Sequence, residues 1–195
     1  GRLTHAQARL KIAAFAPPAP LEVAEISERC GQLAQTSDVL VSPQEAHLAF
    51  GPRWKVLRSV AYGDGEGIAQ LRLPEAFVAD LDAGYTLHPG LMDLATGWAM
   101  SLIAGYAAAH LWVPVSYQSV RVFAPVPADV VSWVRIAVKN SAGARDAVFD
   151  VTLCAPDGTV CVEIKGFSIH RLEADQAFGR QAAPTAQNGA SVRPL

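Results

Sequence analysis

The fold is decided by one apolar segment, Leu87-His88-Pro89-Gly90-Leu91-Met92-Asp93-Leu94-Ala95-Thr96-Gly97-Trp98-Ala99-Met100-Ser101-Leu102-Ile103. Pro89 suits the first turn of a helix, because its missing N–H leaves no hydrogen bond unmade there. From Leu91 onward, apolar residues fall on almost every side of the helical wheel, which predicts a helix wrapped by other structure. The carboxyl group of Asp93 is costly in such surroundings unless something uses or satisfies it. We therefore expect a buried helix, ending near Gly105, whose single acid carries function.

The composition predicts one soluble domain of ordinary size, or one domain with tails. The chain has 195 residues, of which 51% are hydrophobic and 17% charged, so it can bury a proper core without staples. Its net charge is −2 and it has no run of Lys or Arg, which disfavours nucleic acid as a partner. The start of the sequence does not resemble a signal peptide, and the central helix is too short to span a membrane. The expected location is the cytoplasm.

No pattern of ligands for a metal or a cofactor stands out. The three cysteines, Cys30, Cys154 and Cys161, lack the spacing of metal ligands, and the histidines occur in unrelated contexts. Cys154 and Cys161 could approach each other across a hairpin, but reduced thiols in the core are the favoured interpretation. We expect no metal site.

Strand patterns lie on both sides of the central helix. Before it, apolar stretches at residues 56–62 and 68–73 flank a glycine-rich turn, which predicts a hairpin. After it, strands are predicted at residues 111–123, 130–138, 148–154 and 159–170, with Pro114 marking an irregularity or an edge. This order predicts an α+β fold, an antiparallel sheet wrapped around one central helix. That arrangement is the hotdog architecture, present once because the sequence has no internal repeat.

Linker-like segments border this unit. Residues 1–20 end in the proline-rich stretch Ala16-Pro17-Pro18-Ala19-Pro20, which is typical of a stiff, extended linker. From residue 174 to 195 the chain is rich in Ala, Gln, Pro and Gly, a composition typical of a disordered tail or an interdomain linker. Residues 21–173 are the predicted hotdog domain.

Three motifs, in the family's order, resemble the dehydratase domains of modular polyketide synthases. Those domains are double hotdogs, and the likeness is to their C-terminal half over roughly residues 16–172. The family's Tyr-Gly-Pro-x-Phe turn is matched by Phe50-Gly51-Pro52-Arg53-Trp54. Its His-Pro-x-Leu-x-Asp helix start is matched by His88-Pro89-Gly90-Leu91-Met92-Asp93, and its Pro-x-Ser-aromatic strand start by Pro114-Val115-Ser116-Tyr117. Each motif alone is weak, but the three in order are fairly specific.

The resemblance implies elimination of water from a β-hydroxyacyl thioester held on an acyl carrier protein. In the family a histidine of the first hotdog removes the α-proton, and an aspartic acid of the second protonates the departing hydroxyl. Hydroxide is a poor leaving group and needs a positioned acid, and a carboxyl group in an apolar pocket can stay protonated until needed. Asp93 is the candidate acid. The residues expected to line the substrate channel are Phe50, Gly51, Pro52, His88, Pro89, Gly97 and Tyr117.

Several of these residues also have structural interpretations. His88 is better explained as a histidine that bonds backbone near the helix start than as a catalytic base. For the turn at Phe50-Gly51-Pro52, a purely structural role is as well supported as channel lining. The carboxylate of Asp93 could be satisfied by amides of the first helical turn, and Tyr117 could pack with its hydroxyl at the surface.

The resemblance also implies partners and the absence of a cofactor. The substrate would travel on the phosphopantetheine arm of an acyl carrier protein, so no further cofactor is needed. Other polyketide synthase domains and the N-terminal hotdog half are expected partners. A homodimer is plausible, because half of a double hotdog leaves an apolar face uncovered.

Two departures from the family pattern bear on activity. The family's catalytic histidine stands in a His-x-x-x-Gly-x-x-x-x-Pro motif, and no histidine of this chain has that context. The family usually has Gln or His four residues after its aspartate, to hold the carboxyl group, whereas this chain has Gly97. The isolated chain is therefore expected to be inactive, or to need a histidine from another polypeptide.

Two alternatives to elimination stay open. The first is a dehydratase-like module without elimination activity, which binds carrier-bound chains or serves as a structural or dimerising domain. The second is another reaction on the same scaffold, either double-bond shifting or ring closure by oxa-Michael addition. Relatives that shift double bonds often lose the aspartate, so Asp93 argues mildly against that reaction.

Overall fold

The computed structural model describes residues 4–13, 15–31, 38–139, 141 and 143–173. Its α-helices are α1 (Val23–Arg29) and α2 (Pro89–Gly97). Short 3₁₀ segments lie at Pro43–Ala46, Pro52–Trp54, Glu75–Ala83 and Ala99–Leu102. The strands are β1 (Leu57–Tyr62), β2 (Glu66–Arg72), β3 (Trp112–Ser116), β4 (Ser119–Val122), β5 (Asp129–Val138), β6 (Asp146–Cys154) and β7 (Val160–Arg171).

These strands form one antiparallel sheet in the order β1-β2-β5-β6-β7-β3. Strand β4 pairs with β7 on the same side as β3, nearer to the beginning of β7. The predicted hairpin is present, because β1 and β2 pair with Tyr62 opposite Gly67. The last three strands pair as neighbours in the chain. The result matches the predicted α+β hotdog fold, with one helix packed against a wrapped antiparallel sheet.

Helix α2 packs against the sheet through one stripe of its surface. Leu91, Leu94, Ala95 and Trp98 are almost fully buried and follow the helical spacing that places residues on a single face. Asp93 lies on the opposite side and is exposed. The prediction of a helix wrapped on almost every side is therefore wrong for the described chain, because the side that carries Asp93 is open.

Helix α2 also ends earlier than predicted. Regular α-helix stops at Gly97, and a 3₁₀ segment, Ala99–Leu102, replaces the expected continuation toward residue 105. Glycine has a low helix propensity, and the next side chain, Trp98, is fixed by the sheet. Its indole N–H donates to Ser132 Oγ at 3.0 Å, and that hydroxyl donates to the carbonyl of Ala95 at 2.7 Å. Tertiary contacts therefore decide where this helix ends.

The predicted strand at residues 111–123 is split in two. Strand β3 pairs with the end of β7, and its register shifts between Pro114 and Ser116, so the irregularity expected at Pro114 is confirmed. Pairing resumes in β4, where Ser119 lies opposite Lys165. Between them β7 contains Gly166 at a φ of +60°, and a Cβ there would lie 2.8 Å from Gln118. The chain bends where this close approach occurs, and Tyr117 lies at the bend.

The domain boundaries stay predictions. The described part of the predicted linker, residues 4–13 and 15–20, contains no helix or strand. Leu21 begins the packed unit, since its N–H donates to the carbonyl of Gly158 at 2.9 Å. The predicted tail at residues 174–195 lies outside the described residues. Among the described helices, none is long and apolar enough to cross a bilayer.

Candidate functional site

Asp93 is held by a tryptophan from a different segment of the chain. Its carboxylate oxygen Oδ2 accepts a hydrogen bond of 2.7 Å from the indole Nε1 of Trp54. Trp54 ends the 3₁₀ segment Pro52–Trp54, which follows Phe50 and Gly51 in the predicted turn. Two of the three motifs that resemble the dehydratase family therefore meet at this hydrogen bond. The expected alternative, satisfaction by first-turn amides, is not the contact observed.

A small apolar cavity of about 90 Å³ opens beside Asp93. Asp93 and Gly97 lie on its helical wall. The apolar part of its lining includes Leu48, Phe50, Met100, Val113, Pro114 and Phe167. A carboxyl group at the edge of an apolar cavity is suited to protonate a group of a ligand that enters it.

The turn and the helix are in direct contact at Gly90. A Cβ atom at position 90 would lie 2.5 Å from the carbonyl oxygen of Arg53, a distance that real side chains do not tolerate without movement. Gly90 has no positive φ, so the need for glycine comes from this close approach. The glycine brings Trp54 within hydrogen-bonding distance of Asp93.

We predict that Gly90→Ala lowers the free energy of unfolding by about 1–3 kcal/mol, as overpacking of a tight contact typically does. Gly97→Ala is the matched control in the same helix, because a Cβ at position 97 meets nothing within 4 Å. That control is expected to gain about 0.5–1 kcal/mol from the better helix propensity of alanine. Urea denaturation of the protein measures both, and equal stability of the two variants would contradict the contact at Gly90.

His88 does not line the cavity. It supports the contact between α2 and the Pro52–Trp54 segment. It is 1% exposed at the start of α2, and its Nε2 lies 3.4 Å from Asp80 Oδ2. The same Asp80 oxygen accepts from Arg53 Nε at 2.6 Å. The hydrogen bond from Arg53, supported by the one with His88, keeps the pKa of Asp80 below its usual value. His88 therefore ties the helix start to the Pro52–Trp54 segment.

Tyr117 does come close to the acid. Its half-exposed ring stacks on Phe167, a cavity residue, with ring centroids 5.0 Å apart. Partial burial, followed by the nearby charge of Asp93, raises the pKa of the Tyr117 phenol. The bend between β3 and β4 thus places the Tyr117 ring against a residue of the cavity wall.

The predicted channel residues divide into two groups. Asp93, Phe50 and Gly97 line the cavity and Tyr117 lies beside it. Gly51, Pro52, His88 and Pro89 do not line it; they shape the turn and the start of α2. Among the described residues, no histidine lines the cavity.

Two residues of the site escaped the sequence interpretation. Trp54 stands where the family motif has phenylalanine, and the change from a hydrocarbon ring to an indole was the available signal. Gln44 was not among the predicted site residues, but it is 5% exposed and lines the cavity. Its Oε1 accepts from the backbone N–H of Trp112 at 3.0 Å. No local pattern predicts that contact between segments distant in the chain.

Among the described residues, neither a metal-ligand cluster nor an exposed thiol is present. Within the described ranges, no cluster of three or more His, Cys, Asp or Glu side chains is arranged to hold a metal ion. Cys30, Cys154 and Cys161 are buried, and burial raises the pKa of Cys154 to about 12. At neutral pH that residue is a thiol, which is a weak nucleophile and a weak ligand.

Comparison with known families gives one match that covers most of the chain. Residues 18–178 match the family model described as the polyketide synthase dehydratase N-terminal domain. This agrees with the predicted dehydratase likeness. It does not confirm the prediction of a C-terminal half, since the matching model is described as N-terminal.

Similar proteins are much longer than this chain. Polyketide synthase PksM of Bacillus subtilis (strain 168) is 29% identical over 88% of this chain, which spans 4% of that protein. Polyketide synthase PksN of the same strain is 31% identical over 80% of this chain and is matched over 3% of its length. Both relatives are polyketide synthases, in which the matched region is a small part.

Solved structures share the fold. A dehydratase domain of a trans-AT polyketide synthase from Brevibacillus brevis aligns with a TM-score of 0.67 at 23% identity, covering 83% of this chain and 56% of that one. An inactive mutant of the CurK dehydratase, with asparagine in place of an aspartate, aligns with a TM-score of 0.63 at 18% identity, covering 82% and 55%. This chain thus spans little more than half of each solved domain.

Proposed function

Because the chain belongs to the polyketide synthase dehydratase family, we propose that it is the C-terminal hotdog of a double-hotdog dehydratase. In this proposal it eliminates water from a β-hydroxyacyl thioester that an acyl carrier protein presents. Asp93 is the general acid that protonates the departing hydroxyl group. A histidine from the other hotdog half is the base, and no cofactor takes part beyond the phosphopantetheine arm that carries the substrate.

The observation that carries this proposal is the position of Asp93 at the edge of an apolar cavity. Elimination needs a proton donor close to the β-hydroxyl and an apolar space for the acyl chain; Asp93 on α2 can supply the first and the cavity beside it the second. Tyr117, beside the acid, offers a second polar group that the substrate can contact. Such an acid contributes roughly 10²–10⁴-fold to the rate when it is correctly placed.

The base must come from outside the described residues. No histidine in them lines the cavity, and His88 is buried against Asp80. The open side of α2 around Asp93 gives the other half a surface to cover. Solved dehydratase domains are nearly twice as long as the part that aligns here, which leaves room for that half.

The sequence motifs support the C-terminal position. The segment His88-Pro89-Gly90-Leu91-Met92-Asp93 resembles the helix start of the family's second hotdog, and the histidine motif of the first hotdog has no counterpart here. The CurK dehydratase with asparagine in place of an aspartate is described as inactive. That description supports an essential aspartate in the fold, and Asp93 is our candidate for it.

A non-catalytic module is the second candidate function. Gly97 favours it, because this position lacks the side chain that family members use to hold the aspartate. The missing histidine favours it as well. A module of this kind would bind carrier-bound chains or connect domains without changing the substrate.

We predict that this chain together with the preceding part of its parent polypeptide converts a β-hydroxyacyl carrier protein to the unsaturated thioester. The chain alone should give no product, because it contains the acid without the base. Mass spectrometry of the carrier-bound chain detects the loss of one water. Retention of the hydroxyl with both parts present would favour the non-catalytic module. Formation of an oxygen ring, or movement of an existing double bond, would favour cyclase or isomerase activity instead.

A further inference from the structure

The Asp93 carboxyl group is held by Trp54, whereas position 97, four residues further along α2, has no side chain that could hold it. Gly97 follows Asp93 by four residues, the spacing at which two side chains meet on a helix surface. With glycine there, α2 provides nothing at that position to hold the carboxyl group. The indole Nε1 of Trp54 donates to Asp93 Oδ2 at 2.7 Å from the facing segment instead.

We propose that Trp54 is the positioning residue for the general acid Asp93 and replaces the Gln or His that Gly97 has displaced. This inference rests on the proposed function. It assigns a role to a position where the resembled motif has phenylalanine, a residue that can pack but cannot donate a hydrogen bond.

The supporting structure makes the indole a rigid donor. Trp54 is the last residue of a 3₁₀ turn, and its own N–H donates to the carbonyl of Gly51 at 3.0 Å. The residue before it, Arg53, packs its carbonyl against Gly90 and its guanidinium against Asp80. These contacts fix the backbone on which the indole stands, so the donor keeps its direction without help from the substrate.

The direction of the hydrogen bond suits an acid. Since the indole N–H can only donate, it binds Oδ2 as an acceptor and leaves Oδ1 of Asp93 as the oxygen that carries the proton. As that proton moves to the departing hydroxyl, the carboxyl group becomes a carboxylate, and a hydrogen bond to a charged acceptor is stronger than one to a neutral acceptor. Relative to the protonated acid, the contact therefore stabilises the transition state more than the starting state, which is the condition for raising kcat.

The test compares Trp54→Phe with Trp133→Phe in the dehydratase assembled from both halves. Trp133 Nε1 also donates to a carboxylate, Glu66 Oε2 at 2.8 Å, so the control loses the same kind of bond away from the cavity. We expect Trp54→Phe to lower kcat about tenfold, the loss typical of one hydrogen bond to a charged group, with KM unchanged. The control should keep the wild-type kcat and KM.

A second substitution separates positioning from packing. A side chain can start at position 97 without a clash, because a Cβ there meets nothing within 4 Å. Its amide would come from the same helix as Asp93. We expect Gly97→Gln to restore most of the kcat that Trp54→Phe loses. Failure of this rescue, together with a general loss of stability in Trp54→Phe, would overturn the positioning role in favour of a packing role.

Proton NMR provides a readout that does not depend on turnover. In wild-type protein the Trp54 indole N–H resonance should move as the Asp93 carboxyl group titrates, and in Asp93→Asn it should stay fixed. A resonance that ignores the titration in wild type overturns the contact. Full turnover in Trp54→Phe, where Asp93→Asn is inactive, overturns this inference alone. Full turnover in Asp93→Asn overturns the proposed function and this inference together.

Discussion

Asp93→Asn is expected to lower the rate of water elimination by roughly 10²–10⁴-fold, the range that one general acid contributes. Asparagine has nearly the same shape and can still accept the Trp54 indole N–H through its amide oxygen. It cannot release a proton to the departing hydroxyl group. The substitution therefore removes the chemistry while it preserves the contact that holds the side chain. Steady-state turnover of a β-hydroxyacyl thioester, with both hotdog halves present, measures the loss.

The control for this substitution is Asp146→Asn. Asp146 is an exposed carboxylate at the start of β6, hydrogen bonded to His170 at 2.8 Å, and it lies outside the cavity lining. Its variant should eliminate water at the wild-type rate. Equal turnover in Asp93→Asn and wild type would contradict the acid assignment.

The sequence predicted the parts of this molecule that depend on local patterns. The hairpin of β1 and β2, the pairing of the last three strands and the start of α2 at Pro89 all follow from periodicity and turn residues. The hairpin and the helix start are specified by short stretches, so short stretches reveal them. Phe50, Gly97 and Asp93 were named as site residues from the family resemblance, and the structure places all three on one cavity.

Contacts between distant segments account for what the sequence did not predict. The apolar run after Gly97 reads as more helix, but Trp98 is drawn to Ser132 on β5 and the helix ends. The sequence also did not predict which side of α2 is exposed, because an apolar helical wheel does not show which side the sheet covers. Trp54 was quoted only as the last residue of the predicted turn, and only the fold shows that its N–H reaches Asp93.

Trp98 connects the core to the site, so it carries the second large prediction. Its side chain is fully buried and donates to Ser132. The ring lies so close to β2 that a Cβ at Gly67 would come within 2.9 Å of it. The Tyr62 ring lies 5.6 Å away, between centroids. Trp98 is the largest fully buried side chain among the described residues, and it directly follows the last residue of α2.

We expect Trp98→Ala to lower the free energy of unfolding by about 3–5 kcal/mol, the usual cost of removing a buried aromatic side chain. Trp98→Phe should lose less stability, because it keeps most of the ring, and Ser132 can still donate to Ala95.

Trp133→Ala on β5 is the control for tryptophan loss where the ring is only partly buried, and its effect should be smaller. Urea denaturation ranks the three, and a Trp98→Ala loss no larger than that of Trp133→Ala would contradict this role. Because Trp98 directly follows α2 and anchors it to Ser132 on β5, we expect the Trp98→Ala variant also to weaken the Trp54–Asp93 contact under conditions where it is still folded.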